Sequence, residues 1–279
     1  MTSISPKLLL PVSALLLASG GCRVPLFPSP PTEQRAEQYC RDHPPLAESR
    51  HFAVYRLPGD VDTKALLADL ERTVQCLLAW IDSPPPEHVP TYKIVVYGTG
   101  EAEGRRFLRY RSRSARAVGE TLPSRHLIVA AADAADDRLG TVLRHEAVHA
   151  MLRTLNRDGD PLPFWMNEGL AAFLEQGVTA EGAPRINRER LACVRRNRDG
   201  AERGIHRVLS LSPDARGTGV DYAWAYALVN WLYRERSDRP ENVAGSSSVR
   251  AEQRHVPWWV RDLSPRNAGD CAAAVLRSL

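Results

Sequence analysis

The chain lacks the features that define several large classes of protein. None of its apolar runs approaches the roughly 20 residues that a membrane-spanning helix needs, which excludes a polytopic membrane protein. The formal net charge is only +4 and no dense block of Lys and Arg occurs, so we expect no nucleic-acid partner. No C-x-x-C pair is present, which argues against a thiolate zinc site or a redox motif. The composition, 43% hydrophobic and 25% charged, is that of a globular protein.

The N-terminal residues have the pattern of an export signal. Residues 8–18 are apolar and as long as the hydrophobic region of a signal peptide, and the following Ser19-Gly20-Gly21-Cys22 resembles the lipobox of bacterial lipoproteins. We therefore expect a signal peptide at 1–21, a lipidated Cys22 and a Pro-rich tether at 22–45. The tether would hold the chain at a membrane of the cell envelope, on its outer-membrane or periplasmic face. Cleavage without lipidation and an uncleaved anchor are the alternatives.

Four further cysteines leave two interpretations open. In an oxidising compartment they could form two disulfides, with three connectivities to choose from. They could equally be buried free thiols. The residues concerned are Cys40, Cys76, Cys193 and Cys271.

Hydrophobic periodicity predicts strands and one helix in the first half of the chain. The segments 51–57, 91–98 and 125–132 are rich in β-prone residues, and a helical spacing of apolar residues covers 61–82. The Arg-rich segment 104–123 shows no clear period, and we expect it to be irregular. This half therefore predicts a small β-sheet with a helix packed beside it.

The second half of the chain is predominantly helical in its pattern. Apolar spacing, caps and turn signals predict helices at about 136–155, 164–176, 186–198, 221–236 and 270–278. The overall prediction is an α+β fold in one unit at 46–279. Its first part, 46–135, holds the sheet, and its second part, 136–279, is helical and carries the candidate site.

The strongest chemical signal is the run His145-Glu146-Ala147-Val148-His149, which is an H-E-x-x-H motif. On a helix, residues four apart differ by about 40° around the axis, so both imidazoles leave from one face. Two neutral imidazoles at this spacing can hold one Zn²⁺ ion. Glu146 lies further round the helix, where it could act as a general base without being a ligand.

A catalytic zinc site needs a third protein ligand and one open position. Eighteen residues separate His149 from Glu168, and the intervening NRDGDPLP segment is a turn signal. A second helix can therefore fold back and bring Glu168 to the same ion. We expect His145, His149 and Glu168 to bind one Zn²⁺.

These motifs resemble those of the gluzincin zinc metallopeptidases. H-E-x-x-H, eighteen residues and then N-E-G-x-A, which begins here at Asn167, is the pattern of aminopeptidase N-type enzymes and of their compact bacterial relatives, the peptidase MA-like proteins. The resemblance covers about residues 140–235 and implies a zincin-like fold. Glu175 matches a glutamate that often follows in that family. With Asn167 it is a candidate for orienting the imidazoles, and a backbone carbonyl is the alternative.

The resemblance also implies roles for two further segments. In the aromatic segment that opens at Tyr222, this tyrosine matches the phenol that stabilises the oxyanion, with Tyr226 as the alternative. The strand at 125–132 is expected to lie along the substrate cleft and to pair with an extended peptide. No G-x-M-E-N run occurs, so the resemblance does not imply exopeptidase activity.

Together these patterns predict a zinc metallopeptidase of the cell envelope. It would hydrolyse peptide bonds of a peptide or protein substrate through a zinc-activated water, with Glu146 as general base. One alternative is a catalytically inactive zinc-binding lipoprotein that acts as a scaffold or binding module. Others are a structural domain in which the motif is accidental, and a hydrolase of a non-peptide substrate.

Overall fold

A computed structural model describes residues 31–81, 88–111, 118–133, 138–156, 161–237 and 268–278. Within these ranges, no helix is both long and apolar enough to cross a bilayer. The elements are, in chain order, α1 (Pro31–Asp42), β1 (Ala47–Glu48), β2 (Phe52–Arg56), α2 (Thr63–Trp80), β3 (Tyr92–Tyr97), α3 (Ala102–Arg111), β4 (Val118–Leu122), β5 (Leu127–Ala131), α4 (Arg138–Leu155), α5 (Phe164–Leu174), α6 (Arg188–Arg196), α7 (Ala201–Ser210), α8 (Gly219–Ser237) and α9 (Ala268–Ser278).

The five strands form one mixed sheet in the order β1-β2-β3-β5-β4. The three inner strands β2, β3 and β5 are parallel, and β1 and β4 are antiparallel to their neighbours at the two edges. Helix α2 connects β2 to β3, as a crossover between parallel strands requires. The helices that follow carry no further strand in the described part of the chain, so the predicted α+β fold is confirmed.

The sheet buries both of its faces, because successive side chains of a strand point to opposite sides. On one face, Ile94, Val96 and Ile128 belong to the large core that α2, α4 and the later helices complete. On the other face, Val95 and Val129 pack in a smaller cluster that includes residues of α1 and α3. The strands therefore consist of nearly continuous apolar residues rather than alternating ones.

The boundary predicted for the tether is wrong over residues 31–45. This segment contains helix α1, in which Thr32, Glu33, Ala36 and Cys40 are buried. The helix is polar overall and begins at Pro31, which suits the first position of a helix because a proline lacks only an N–H that would have no partner there. Few apolar residues mark it in the sequence, since it covers the sheet with small side chains. The signal peptide, Cys22 and the rest of the tether lie outside the described residues.

The prediction of irregular structure at 104–123 is also wrong. This segment contains most of helix α3 and, after residues 112–117, which are not described, strand β4. Helix α3 has one buried side, with Phe107 only 1% exposed, and an arginine-rich side toward solvent. Strand β4 is half-buried along its whole length and contains a glycine and a glutamate, so its residues alone do not resemble a strand.

The helical half of the chain is built around α5 and α8. Helix α8 places Trp224 and Tyr226 in the core with exposures of 1% and 0%. Helix α5 packs against both α4 and α8, and α6, α7 and α9 also pack against α8. The predicted helices at 164–176, 186–198, 221–236 and 270–278 are confirmed within a few residues, whereas α7 was not predicted.

Candidate metal centre

Helix α4 presents both histidines of the H-E-x-x-H motif on the same side. The imidazole centroids of His145 and His149 are 4.8 Å apart, and the two rings are nearly perpendicular. Nε2 of each ring lies 3.4 Å from Oε2 of Glu168 on α5. These three donor atoms all lie within 4.8 Å of one another, so they surround one shared point.

Close packing of α5 against α8 decides where Glu168 lies. The first turn of α5 is anchored by Phe164, Trp165 and Met166, all of which are buried. The residue after the glutamate, Gly169, faces the backbone of α8, and a Cβ atom at this position would lie 2.7 Å from the carbonyl oxygen of Ala225. Only a glycine permits this approach without displacement of one helix.

The other nitrogen of each imidazole is also held. Nδ1 of His145 lies 3.0 Å from Oε2 of Glu175, and Nδ1 of His149 lies 3.1 Å from Oδ1 of Asn167. Both partner oxygens are acceptors, so each Nδ1 carries a proton, and Nε2 of each ring is the atom that would bind a metal ion at the shared point. Glu175 and Asn167, the two side-chain candidates for orienting the imidazoles, thus each contact one of the rings.

Two neighbouring carboxylates change the pKa of His145. Burial lowers the pKa of His145, but hydrogen bonds to Glu168 and Glu175 outweigh burial and raise its pKa to about 10 in the metal-free site. Burial raises the pKa of Glu168, and hydrogen bonds from His145 and His149 more than reverse this, so its pKa lies well below the ordinary value. Glu168 is therefore anionic at neutral pH, as a metal ligand must be.

Two residues that the motifs did not predict hold Glu175 in place. Asn187 donates from Nδ2 to Oε1 of Glu175 at 2.6 Å, and Arg190 donates from Nε to the same oxygen at 3.2 Å. Both belong to the start of α6, where the Asn187 side chain also caps the helix by accepting from the backbone N–H of Arg190. Asn187 could be recognised in the sequence only as a helix cap, since its contact with Glu175 is tertiary.

The structure separates the two candidate tyrosines. The hydroxyl of Tyr226 accepts a hydrogen bond from the backbone N–H of Asn187 at 3.0 Å inside the core, so this phenol has a structural partner. Tyr222 packs its ring against Phe164, with the Arg190 guanidinium over it at 5.6 Å from the ring centroid. Burial and the nearby Glu168 carboxylate raise the pKa of Tyr222 to about 12, so its hydroxyl stays protonated. The negative charge of Glu168 therefore acts more strongly on Tyr222 than on Tyr226.

The candidate general base lies between α4 and the sheet. Glu146 is 7% exposed, and its side chain contacts strand β4, where Oγ1 of Thr121 donates to its Oε2 at 2.8 Å. Its charge also raises the pKa of His145, by less than the two carboxylates described above. The Glu146 carboxylate is therefore near enough for its charge to act on His145, and Thr121 is a contact that no motif predicted.

The expectation that the strand at 125–132 pairs with substrate is wrong. Strand β5 occupies these residues and lies inside the sheet, where it is hydrogen-bonded to β3 on one side and to β4 on the other. It therefore has no free edge for an added strand. The edge strand next to α4 is β4, which the sequence pattern did not reveal.

All four cysteines for which the sequence left the state open are free thiols. Cys40 and Cys271 are buried, and Cys76 and Cys193 are partly buried. Burial raises the pKa of Cys40 and of Cys76 to about 11, so both stay protonated and unreactive at neutral pH. Of the two interpretations left open by the sequence, the structure has the free thiols.

The donor set fits a zinc ion. Two imidazole nitrogens and one carboxylate oxygen are ligands that Zn²⁺ prefers, and a site with three protein ligands of this type is characteristic of catalytic zinc. Each histidine has its second nitrogen bound to an oxygen, as zinc-binding histidines almost always do. The fold and the cluster together define a mixed α+β protein with a candidate His-His-Glu metal centre.

Comparison with known families places this centre in a segment that recurs in other proteins. Residues 139–251 match a family described as a protein of unknown function, DUF1570. The matched segment includes the three donors, both orienting residues, Asn187, Arg190 and Tyr222. No curated protein matches the chain.

Proposed function

We propose that this protein is a zinc-dependent peptidase that hydrolyses peptide bonds at the cell envelope. The observation that carries the proposal is the convergence of His145, His149 and Glu168 on one point. Nδ1 of each imidazole is in addition hydrogen-bonded to a side-chain oxygen. Structural zinc sites use four protein ligands, whereas catalytic sites use three and keep one position open. Three donors within the described residues therefore favour a catalytic role. The choice of peptide as substrate rests on the resemblance to gluzincins.

The surrounding residues supply the parts that hydrolysis needs. A bound Zn²⁺ supplies Lewis-acid chemistry and lowers the pKa of a water molecule to about 7. Glu146 accepts a proton from the attacking water and delivers it to the leaving nitrogen. Tyr222, whose raised pKa keeps it protonated, donates a hydrogen bond to the oxygen on which negative charge develops.

Metal analysis tests the first half of the proposal. We expect purified wild-type protein to contain one zinc per chain and the Glu168→Ala variant to lose it. The matched control is Glu181→Ala, because Glu181 is an exposed glutamate outside the cluster. An equal zinc content in wild type and in Glu168→Ala would contradict the assignment of the centre.

Cleavage of a peptide library tests the second half. The Glu146→Gln variant keeps the shape of the side chain but removes the base, so we expect it to retain zinc and to lose hydrolysis. Glu181→Gln is the control that keeps full activity. Zinc in the wild type without cleavage of any peptide would instead support the zinc-binding scaffold.

The envelope location is a separate part of the proposal and rests on the sequence of residues 8–22. We expect the full-length protein to incorporate radiolabelled fatty acid in a bacterial host and to sediment with membranes. A Cys22→Ser variant should lose the label. Labelling that persists in this variant would refute lipidation at Cys22.

A further inference from the structure

Strand β4 makes a close contact with the residue that the proposed mechanism uses as its base. Oγ1 of Thr121 lies 2.8 Å from Oε2 of Glu146 and 2.9 Å from the backbone carbonyl oxygen of the same residue. Both of these atoms are acceptors, so the single hydroxyl hydrogen of Thr121 is shared between them. The hydroxyl therefore ties the carboxylate of Glu146 to the backbone of its own helix.

A glycine two residues earlier allows the strand to come this close. Gly119 and Thr121 point to the same face of β4, because side chains alternate along a strand. A Cβ atom at position 119 would lie 2.6 Å from Cγ of Glu146 and 2.8 Å from Cγ1 of Val142. Contacts this short do not occur, so any larger residue at 119 would displace either the strand or the Glu146 side chain.

Pairing with β5 fixes the strand itself. Gly119 pairs with Ala130 and Thr121 with Ile128 in the antiparallel ladder. The partners Ala130 and Ile128 are fully buried, and β5 is bonded on its other side to β3. The position of the Thr121 hydroxyl is therefore set by the sheet and not by a mobile loop.

Orientation matters for a carboxylate base. The terminal torsion of a glutamate is broad, so an unrestrained carboxylate samples many directions. A hydrogen bond to Oε2 restricts that rotation and leaves Oε1 to receive a proton. We propose that Thr121 is a positioning residue for Glu146 and that Gly119 provides the space this requires. The catalytic consequence rests on the proposed function, whereas the effect on the Glu146 side chain does not.

Kinetic comparison of three variants tests the catalytic consequence. Thr121→Val keeps the shape of the side chain and removes the hydroxyl, and we expect kcat to fall by about 10- to 100-fold with KM nearly unchanged, as for other misplaced catalytic groups. Thr121→Ser retains the hydroxyl and should recover most of the rate. The control is Thr73→Val, which removes a buried hydroxyl on α2 that donates to the Asp69 carbonyl.

A second measurement is independent of activity and of metal. In protein labelled with ¹³C at the glutamate carboxyl, the Glu146 signal is identified by its loss in Glu146→Gln. We expect this signal to shift in Thr121→Val and to return in Thr121→Ser. If Thr121→Val does not fold, the shift is measured in Thr121→Ala.

The outcomes separate the two proposals. An unchanged Glu146 signal, or a Thr121→Val enzyme with wild-type kcat, overturns the positioning role of Thr121. A wild-type protein that cleaves no peptide refutes the proposed function, while a hydroxyl-dependent Glu146 signal in the same protein still supports the positioning role.

Discussion

The Oδ1 atom of Asn167 lies 3.1 Å from Nδ1 of His149, and the next residue, Glu168, reaches the opposite nitrogen of the same ring. Two consecutive residues of α5 thus contact both sides of one imidazole. The orientation of His149 therefore depends on the position of one turn of α5, so a small shift of α5 should change the geometry of the metal centre.

The first prediction concerns Asn167 itself. In Asn167→Ala the imidazole of His149 loses its fixed orientation, and we expect zinc affinity to fall by about 10- to 100-fold. Competition with a chromophoric chelator measures this affinity. Asn197→Ala, which removes an exposed asparagine at the end of α6, should leave the affinity unchanged. Equal affinities for both variants would show that Asn167 does not orient the ring.

The second prediction separates the two tyrosines by different measurements. Tyr222→Phe removes the proposed oxyanion donor, and we expect kcat to fall by about 10²- to 10³-fold with little change in stability. Tyr226→Phe leaves the backbone N–H of Asn187 without its acceptor in the core, which should cost about 1–3 kcal/mol in the free energy of unfolding. Steady-state kinetics and urea unfolding of both variants check this. A Tyr226→Phe variant that loses kcat while remaining as stable as wild type would reverse the assignment.

The third prediction concerns the contact between α5 and α8. A methyl group at position 169 would lie 2.7 Å from the carbonyl oxygen of Ala225 and 2.8 Å from Cγ2 of Val229, so the helices must move apart. We expect Gly169→Ala to destabilise the protein by about 1–3 kcal/mol and to weaken zinc binding, because Glu168 moves with the helix. The control is Gly219→Ala on α8, where nothing lies within 4 Å of the added methyl. Similar zinc affinities for the two variants would count against this coupling.

The fourth prediction is a pH dependence of stability far from the centre. Burial raises the pKa of Glu71, but hydrogen bonds from His51 and Ser49 more than offset burial and lower its pKa overall. A lowered pKa in the folded state means that Glu71 contributes stability above its unfolded pKa of about 4.3. That contribution is lost as the pH falls through the folded value.

Urea unfolding of wild type and Glu71→Gln between pH 7 and pH 3 checks this. The wild type should be the more stable protein at pH 7, and the difference should shrink as the pH falls below about 4.3. Glu202→Gln, a variant of an exposed glutamate on α7, is the control for the substitution itself. A gap between wild type and Glu71→Gln that widens in acid would contradict the lowered pKa.

Local patterns predicted the candidate centre better than they predicted the sheet. His145 and His149 are recognisable from their helical spacing, and Glu168 from the turn signal that separates the two helices. Both signals lie within a short stretch of chain. Helix α1 and strand β4 were missed because their burial depends on neighbours distant in sequence. The polar helix α1 is stable there because it packs on one face of the sheet, and the glycine-containing strand β4 because it pairs with β5 at the edge.

The sequence by itself determined the two imidazoles on one helical face, the third donor on the next helix, and the α+β succession of elements, since each follows from spacing along the chain. Only the tertiary structure decided that β4 and not β5 is the edge strand, that Tyr226 is bound to Asn187, and that Thr121 contacts Glu146. The physical reason is that hydrogen bonds between distant segments depend on how the sheet and the helices pack, and no local pattern of residues records that packing.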